Sequence, residues 1–353
     1  MKPTISQPSL FFWILLLICN TVFSQENNDS ISVKKHKVNL TGIPMVSYNK
    51  SYGFIGGVRG MGFFNVNEKD TISPASLAGI ALGYTENKSW FGSAFSQLYF
   101  NEDTWRITAA VGLGKINFQY FDASGSDEGN FVDYSNVTDF YYLKGMRKII
   151  PHFYAGALLK IQRSEVVFES APDSTTVTHA NGIGMSVLYD NRNNIYSPTK
   201  GWKSEITFIS NARWMGSDEL FNSIRAYANY YLNLNERMVL ANRVSMFSGL
   251  GNVPFTGQHS VGGKDIRGYT EGKYRGEQVY ALQSEYRWNF YKRWGALGFM
   301  GLAFTEKPYS GILPGGGLGL RFRAIPSRSI NIGLDYAIGK GDNGIYFRIN
   351  EAF

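Results

Sequence analysis

Two polar runs in the 353-residue sequence carry residue types that could do chemistry. One is Gly262-Gly263-Lys264-Asp265-Ile266-Arg267-Gly268-Tyr269, inside a segment from Asn252 to Gln278 that holds six glycines and the basic residues Lys264, Arg267, Lys273 and Arg275. The other is Tyr189-Asp190-Asn191-Arg192-Asn193-Asn194, followed by Pro198-Thr199-Lys200-Gly201-Trp202. Ion pairing is the chemistry these residues suit. A planar guanidinium fits a carboxylate through two parallel hydrogen bonds, and an arginine enclosed away from water is costly to leave unpaired. Gly268 permits a tight backbone beside Arg267, and Tyr269 offers an apolar body with a polar tip. The plainer alternative for Arg267 is a solvated loop side chain. For the second run a rigid turn between strands is the reading taken, ahead of contact with a client.

Enzyme chemistry has little to stand on. There is no Gly-x-Ser-x-Gly elbow and no His-Glu-x-x-His, and the four histidines, His36, His152, His179 and His259, are not spaced as metal ligands. Cys19 is the only cysteine, which rules out a disulfide framework and a thiolate metal site. The expectation is therefore a protein that is not an enzyme, with no cofactor and no metal. Gly339, Gly341 and Gly344 match Gly-x-Gly-x-x-Gly, but no helix follows, and Asn343-Gly344 reads as the dipeptide of a hairpin turn.

The elements that must position the two runs alternate with period two. Ile224, Ala226, Ala228, Tyr230, Leu232 and Leu234 lie on one face and Arg225, Tyr227, Asn229, Tyr231, Asn233 and Asn235 on the other. Tyr280, Leu282, Tyr286, Trp288 and Phe290 oppose Gln283, Glu285, Arg287 and Asn289, and Ile332, Leu334, Tyr336 and Ile338 oppose Asn331, Gly333, Asp335 and Ala337. Repeated segments of about ten residues with this alternation fit a transmembrane β-barrel, one face on lipid and the other on a polar lumen. A soluble sandwich also alternates. Aromatics near strand ends (Trp90, Tyr99, Tyr141, Tyr142, Trp202, Trp288, Trp294) and charges on the polar faces (Lys203, Glu205, Arg287, Arg321, Arg323) favour the barrel. Composition agrees: 15% aromatic, 18% charged, 39 glycines and a mean hydropathy of -0.20. Beyond the N-terminus no apolar run approaches the roughly 20 residues of a membrane-spanning helix.

Residues 1–24 read as a secretory signal peptide, with Lys2 ahead of the apolar run Leu10 to Cys19 and cleavage after Ser24. Ile18 before Cys19 argues against lipid attachment. Cleavage leaves 34 basic and 28 acidic side chains over 329 residues, with residues 25–40 as a polar periplasmic lead-in. Lys34-Lys35-His36-Lys37 within it reads as solvated rather than as a nucleic-acid site. Export to the cell outer membrane is the expected localisation. At the other end Ile345, Phe347, Ile349 and Phe353 share a face, and Phe347, Ile349 and Phe353 form a candidate C-terminal assembly signal. Three connections exceed simple turns: Ala123 to Val137, Glu169 to Ala180, and Asn252 to Gln278.

In this order, Asp190, Arg192, Asn194, Pro198 and Gly201, then Gly263, Ile266, Arg267, Gly268 and Tyr269, resemble the BamA/TamA-like outer-membrane barrel superfamily, also called bacterial surface antigen barrels. That family carries a D-x-R-D-N-x-x-x-P-x-x-G stretch in mid-barrel and a V/I-R-G-F/Y loop folded back into the lumen. The resemblance covers residues 41–353 as one barrel domain. Ile43 to Tyr48 and Gly53 to Gly57 look like its first hairpin, and Asn193 departs from the family's Asp. It implies an all-β transmembrane antiparallel barrel of about 16 strands; fourteen or eighteen fit the length nearly as well. It also implies that Arg267 meets an acid on the late strands, and Asp335 is the acid there with lumen parity. Members that assemble barrels carry periplasmic POTRA modules, for which residues 25–40 are too short, so a barrel-only member is expected. Two functions follow. One is outer-membrane biogenesis through a seam between the first strand, where Gly42 and Pro44 weaken the ladder, and the last strand from Ile345. The other is a plugged passive channel or structural barrel. Expected partners are lipopolysaccharide and phospholipid, with outer-membrane assembly factors or lipoproteins, and no nucleic acid.

Overall fold

The computed structural model describes residues 39–49, 53–122, 130–270, 272–326 and 329–353. The expected signal peptide and most of the lead-in lie outside the described residues. Alternating sequence becomes strand throughout: β1 (Asn39–Asn49), β2 (Gly53–Phe64), β3 (Ser76–Thr85), β4 (Trp90–Phe100), β5 (Trp105–Asp122), β6 (Asn130–Ile150), β7 (Phe153–Phe168), β8 (Thr175–His179) and β9 (Gly182–Asp190). They continue as β10 (Gly201–Asn211), β11 (Phe221–Asn235), β12 (Met238–Gly251), β13 (His259–Ser260), β14 (Arg275–Tyr291), β15 (Trp294–Pro308), β16 (Gly311–Ile325), β17 (Ile330–Gly339) and β18 (Asp342–Ile349). Sequence neighbours pair antiparallel all the way round, and β18 returns to β1. The short β8 precedes β9 along the same partner, β7, and the two-residue β13 lies within the connection to β14. What remains is a nearly closed antiparallel barrel of sixteen strands. Among the described residues no helix is long and apolar enough to cross a membrane.

Side-chain parity fixes inside and outside. Along β14 Val279, Ala281, Gln283, Glu285 and Arg287 are buried, while Tyr280, Leu282, Tyr286, Trp288 and Phe290 are exposed. Met300 and Leu318, both 71% exposed, belong to the same outer surface. Leaving such side chains in water would forgo roughly 1.5–3 kcal/mol each, so an apolar belt around a polar interior suits a hydrocarbon surround. Trp105, Trp202, Trp288 and Trp294 form part of an aromatic girdle at one rim, where Trp202 lies 4.3 Å from Tyr230 between ring centroids. That rim carries the tight connections 151–152, 236–237 and 292–293, and short turns mark the periplasmic side of such barrels. Of the aromatics expected near strand ends, Tyr99 and Tyr142 share the inward parity of Arg106 and Lys144.

Several element boundaries differ from the sequence reading. Strands run from eight residues in β18 to 21 in β6, excluding the fragments β8 and β13. The connection expected from 123 to 137 is strand from Asn130 onward, because β5 and β6 stay paired out to Asp122 and Asn130. Beyond the apolar belt both faces are polar or aromatic, so the alternation fades while the ladder continues. The connection Glu169 to Ala180 contains β8, and Arg275 to Gln278 open β14. Asn39 and Leu40, assigned to the lead-in, belong to β1. The last hairpin turns at Lys340-Gly341, with Gly341 at φ +67, while Asn343 and Gly344 lie within β18.

Candidate functional site

The connection between β12 and β14 does not stand off into solvent. Val261, Ile266 and Tyr269 are buried in a cluster with inward residues of β12, β14, β15 and β16, among them Phe247, Val279, Ala281, Ala303 and Leu313. A Cβ on Gly315 would come within 2.5 Å of the Arg267 carbonyl oxygen, so the loop backbone lies against a bare stretch of strand. Gly263 turns the backbone at φ +59, and Gly268 sits at φ +105, where its own Cβ would lie 2.6 Å from the Ile338 carbonyl carbon. Gly268→Ala combines a disfavoured backbone with a backbone clash. It should expose Lys264 and Lys273 to trypsin in the folded barrel, an outcome that limited proteolysis reads directly.

Arg267 is completely buried. Its Nη1 donates to Asp335 Oδ2 at 2.8 Å, its Nη2 to Glu285 Oε2 at 2.5 Å and its Nε to Gln283 Oε1 at 3.1 Å. The guanidinium stacks 3.4 Å above the Phe299 ring. Asp335 also accepts from Arg321 at 2.5 Å and Arg348 at 2.9 Å, and Glu285 accepts from Arg287 at 2.6 Å. Tyr269 donates its hydroxyl to the Pro314 carbonyl at 2.5 Å and accepts from Lys340 N at 2.9 Å. Residues from four late strands thus grip the loop, and each charge has a partner of opposite sign, which is the condition for burying it. Within the loop, burial pushes the Asp265 carboxyl up, but hydrogen bonds from His259 and Ser245 and the Arg243 charge outweigh it and hold the group below its ordinary range.

The same network reaches the end of the chain. Strand β18 stops at Ile349, Asn350 takes φ +67, and residues 351–353 turn inward. Glu351 accepts from Arg321 at 2.9 Å and Asn331 at 2.7 Å, and Arg287 donates to the Phe353 carbonyl at 3.1 Å. Phe353 therefore does not continue the outer face of Phe347, as the strand parity had led us to expect. Instead the arginines inside the barrel draw Glu351 and its neighbours in. Ile349, placed on that face by parity, packs beside an inner cluster that includes Phe63, Tyr196 and Ile330.

The second run forms the β9 to β10 connection at the short-turn rim. Asp190 accepts from Arg192 Nε at 2.8 Å, Arg192 Nη2 at 3.0 Å and Arg106 Nη1 at 2.8 Å. Arg106 also clasps Asp103 through two hydrogen bonds of 2.9 and 2.8 Å. Asn194 Oδ1 caps its own turn by accepting from Tyr196 N and Ser197 N, at 2.8 and 2.9 Å. Asn193 accepts from Thr199 N and Lys200 N at 3.0 and 3.1 Å, so an amide organises the turn where the resembling family has an acid. Pro198 offers its carbonyl to Arg287 at 3.3 Å, and Gly201 opens β10 at φ +106. A cavity of about 670 Å³ lies against this connection. Sequence reasoning missed Arg106, Asp103 and Tyr154, whose ring lies 3.9 Å below the Arg106 guanidinium. The signal available was Arg106 as a lone charge on a strand otherwise apolar or small. Among the described residues no group of three His, Cys, Asp or Glu side chains could hold a metal ion.

A model of the Omp85 superfamily domain matches residues 64–353. The chain belongs to the Omp85 superfamily. Solved structures with this fold include BamA from Haemophilus ducreyi lacking POTRA domains 1–3, at 13% identity and TM-score 0.57, covering 90% of this chain and 71% of that one. CdiB from Escherichia coli is similar at 13% identity and TM-score 0.62, over 90% of this chain and 63% of that one. CdiB from Acinetobacter baumannii aligns at 13% identity and TM-score 0.56, over 89% and 65%. The chain thus spans less than two thirds of either CdiB, and at such identity the likeness is one of fold. No curated protein matches the sequence. Omp85 barrels are outer-membrane proteins, so the apolar belt is the surface that meets the outer membrane.

Proposed function

We propose that this Omp85 barrel acts in outer-membrane biogenesis, inserting or moving polypeptide or lipid through a lateral seam between β1 and β18, with the Arg267 loop as its inner gate. The observation that carries the reading is the closure of the barrel. β1 and β18 share only the pairs Tyr48↔Ile345 and Asn49↔Gly344, against eleven pairs between β1 and β2 and eight between β17 and β18. At roughly 0.2–1 kcal/mol per cross-strand pair, two pairs hold the seam by no more than about 2 kcal/mol. Outer-membrane lipid, both lipopolysaccharide and phospholipid, is the immediate partner, with assembly factors or lipoproteins as further ones. The protein works without covalent catalysis and reaches the membrane through a cleaved signal peptide.

A plugged passive channel is the second reading. It is favoured by the aromatic roof at the other rim, where Tyr120, Tyr134, Phe168 and Phe255 pack with centroids 5.1 to 5.9 Å apart and Arg275 donates to the Tyr134 hydroxyl at 2.8 Å. A Tyr48→Cys, Ile345→Cys double variant separates the two. In proteoliposomes scored for insertion of a urea-denatured barrel client, oxidation should abolish insertion and reductant should restore it. Full insertion by the oxidised form, with altered conductance, would support the channel.

A further inference from the structure

Beyond the seam and the gate, the interior holds a set of donors that no described contact satisfies. Arg243 on β12 and Gln283 on β14 are direct cross-strand partners with inward side chains, 7% and 1% exposed. Gln283 uses its Oε1 on Arg267, which leaves its amide nitrogen to donate elsewhere, and that Nε2 has no partner. Arg243 gives Nη1 to Asn229 at 2.8 Å and stacks 4.5 Å over Tyr227, while its Nε is buried without an acceptor. Lys264, from the loop, lies within the repulsive field of Arg243. Buried donors without acceptors are uncommon and cost about 1–3 kcal/mol each.

Carboxylates nearby are already engaged. Asp265 accepts from Ser245 at 2.7 Å and meets His259 at 2.5 Å. Glu205 is held by Lys144, by Ser186 at 2.7 Å and by Tyr227 at 2.9 Å. Farther along the same inward wall Lys160, Lys203 and Arg225 add positive charge; among the described residues none of these three, nor Arg243 or Lys264, has a carboxylate within 4.0 Å. The wall is thus rich in cations whose only prospective counterion is a ligand.

We propose that Arg243 Nε, Gln283 Nε2 and Lys264 Nζ form a site for a phosphate group. A tetrahedral oxyanion offers acceptors to donors arriving from two strands and a loop, and it brings the charge that a guanidinium beside an ammonium calls for. Phosphate held there contacts both the wall, through Arg243, and the gate, through Lys264 and the amide that positions Arg267. Occupancy therefore stabilises the closed loop.

The full chain in dodecyl maltoside micelles, titrated with inorganic pyrophosphate against potassium chloride of equal ionic strength, tests the site. The readout is the temperature at which the folded band is lost on electrophoresis. A parallel arm uses nanodiscs of phosphatidylcholine with or without phosphatidic acid. A saturable rise in that temperature above the chloride control is expected, at least tenfold weaker in apparent affinity for Arg243→Gln and for Lys264→Gln. A rise in the micelle arm identifies free phosphate as the source, and a rise confined to phosphatidic acid identifies a lipid headgroup. No rise in either arm, or wild-type titration by both variants, would overturn the site. Should Arg243→Gln fail to assemble, Lys264→Gln decides, since Lys264 has no ion pair among the described residues.

Discussion

Asp335→Ala should free the 252–274 loop and lower barrel stability by about 3–5 kcal/mol, the cost of removing one partner from a buried ionic group. The size follows from what the carboxylate does. It accepts from Arg267, Arg321 and Arg348, and it is fully buried. Without it three guanidiniums remain enclosed with Glu285 and Glu351 as the nearby acids. The loop is the component that can leave, because its grip depends on Arg267, whereas Arg321 and Arg348 belong to paired strands. Trypsin should then cut at Lys264, Arg267 or Lys273 in a barrel that still migrates as folded. A cleavage pattern identical to that of the unaltered chain would mean that Asp335 is not what retains the loop.

Asp190→Asn should be comparably costly, again about 3–5 kcal/mol, and should act on the other rim. Asp190 is 6% exposed and receives three N–H donors from Arg106 and Arg192. An asparagine keeps one acceptor and turns an amide donor toward a guanidinium. Arg192 also anchors the connection through the Ile195 carbonyl at 3.0 Å, so its release should loosen residues 191–200 and open the cavity beside them. Urea unfolding followed by tryptophan fluorescence reads the loss. Arg192→Met should cost much less in the Asp190→Asn background than alone, because the pair acts as a unit. Strict additivity would show the two side chains to be energetically separate.

The two runs differ in how far sequence alone could carry them. Parity along 331–338 places Asp335 inside, and a loop with one arginine among six glycines points to a buried guanidinium. Glu285 and Gln283 were visible as the polar face of β14, but nothing local indicates that they meet Arg267. The Arg106 to Asp190 pair spans 84 residues and joins strands that are not neighbours, so only closure of the barrel brings it about. The inward tail was hidden for a similar reason. Up to Ile349 the spacing is that of a strand, and the force that bends residues 350–353 is the set of arginines on β14 and β16. Long strands such as β6 were underestimated because alternation records the lipid belt, while hydrogen-bonded pairing extends past it.

That architecture makes β18 the strand most easily parted from its neighbour. It is held to β1 by two pairs, while its inner side is tied to β17 through Arg348 and Asp335. Hydrogen exchange on the full chain in nanodiscs tests this directly, by comparing peptides that cover 39–49 and 342–349 with peptides that cover 275–308. The account predicts that about half the amides of β1 and β18, those directed toward the seam, exchange at least about tenfold faster than amides of β14 and β15, a difference of about 1.4 kcal/mol or more in opening free energy. Protection of β1 and β18 equal to that of β14 and β15 would contradict a labile seam and, with it, the proposed route through the barrel wall.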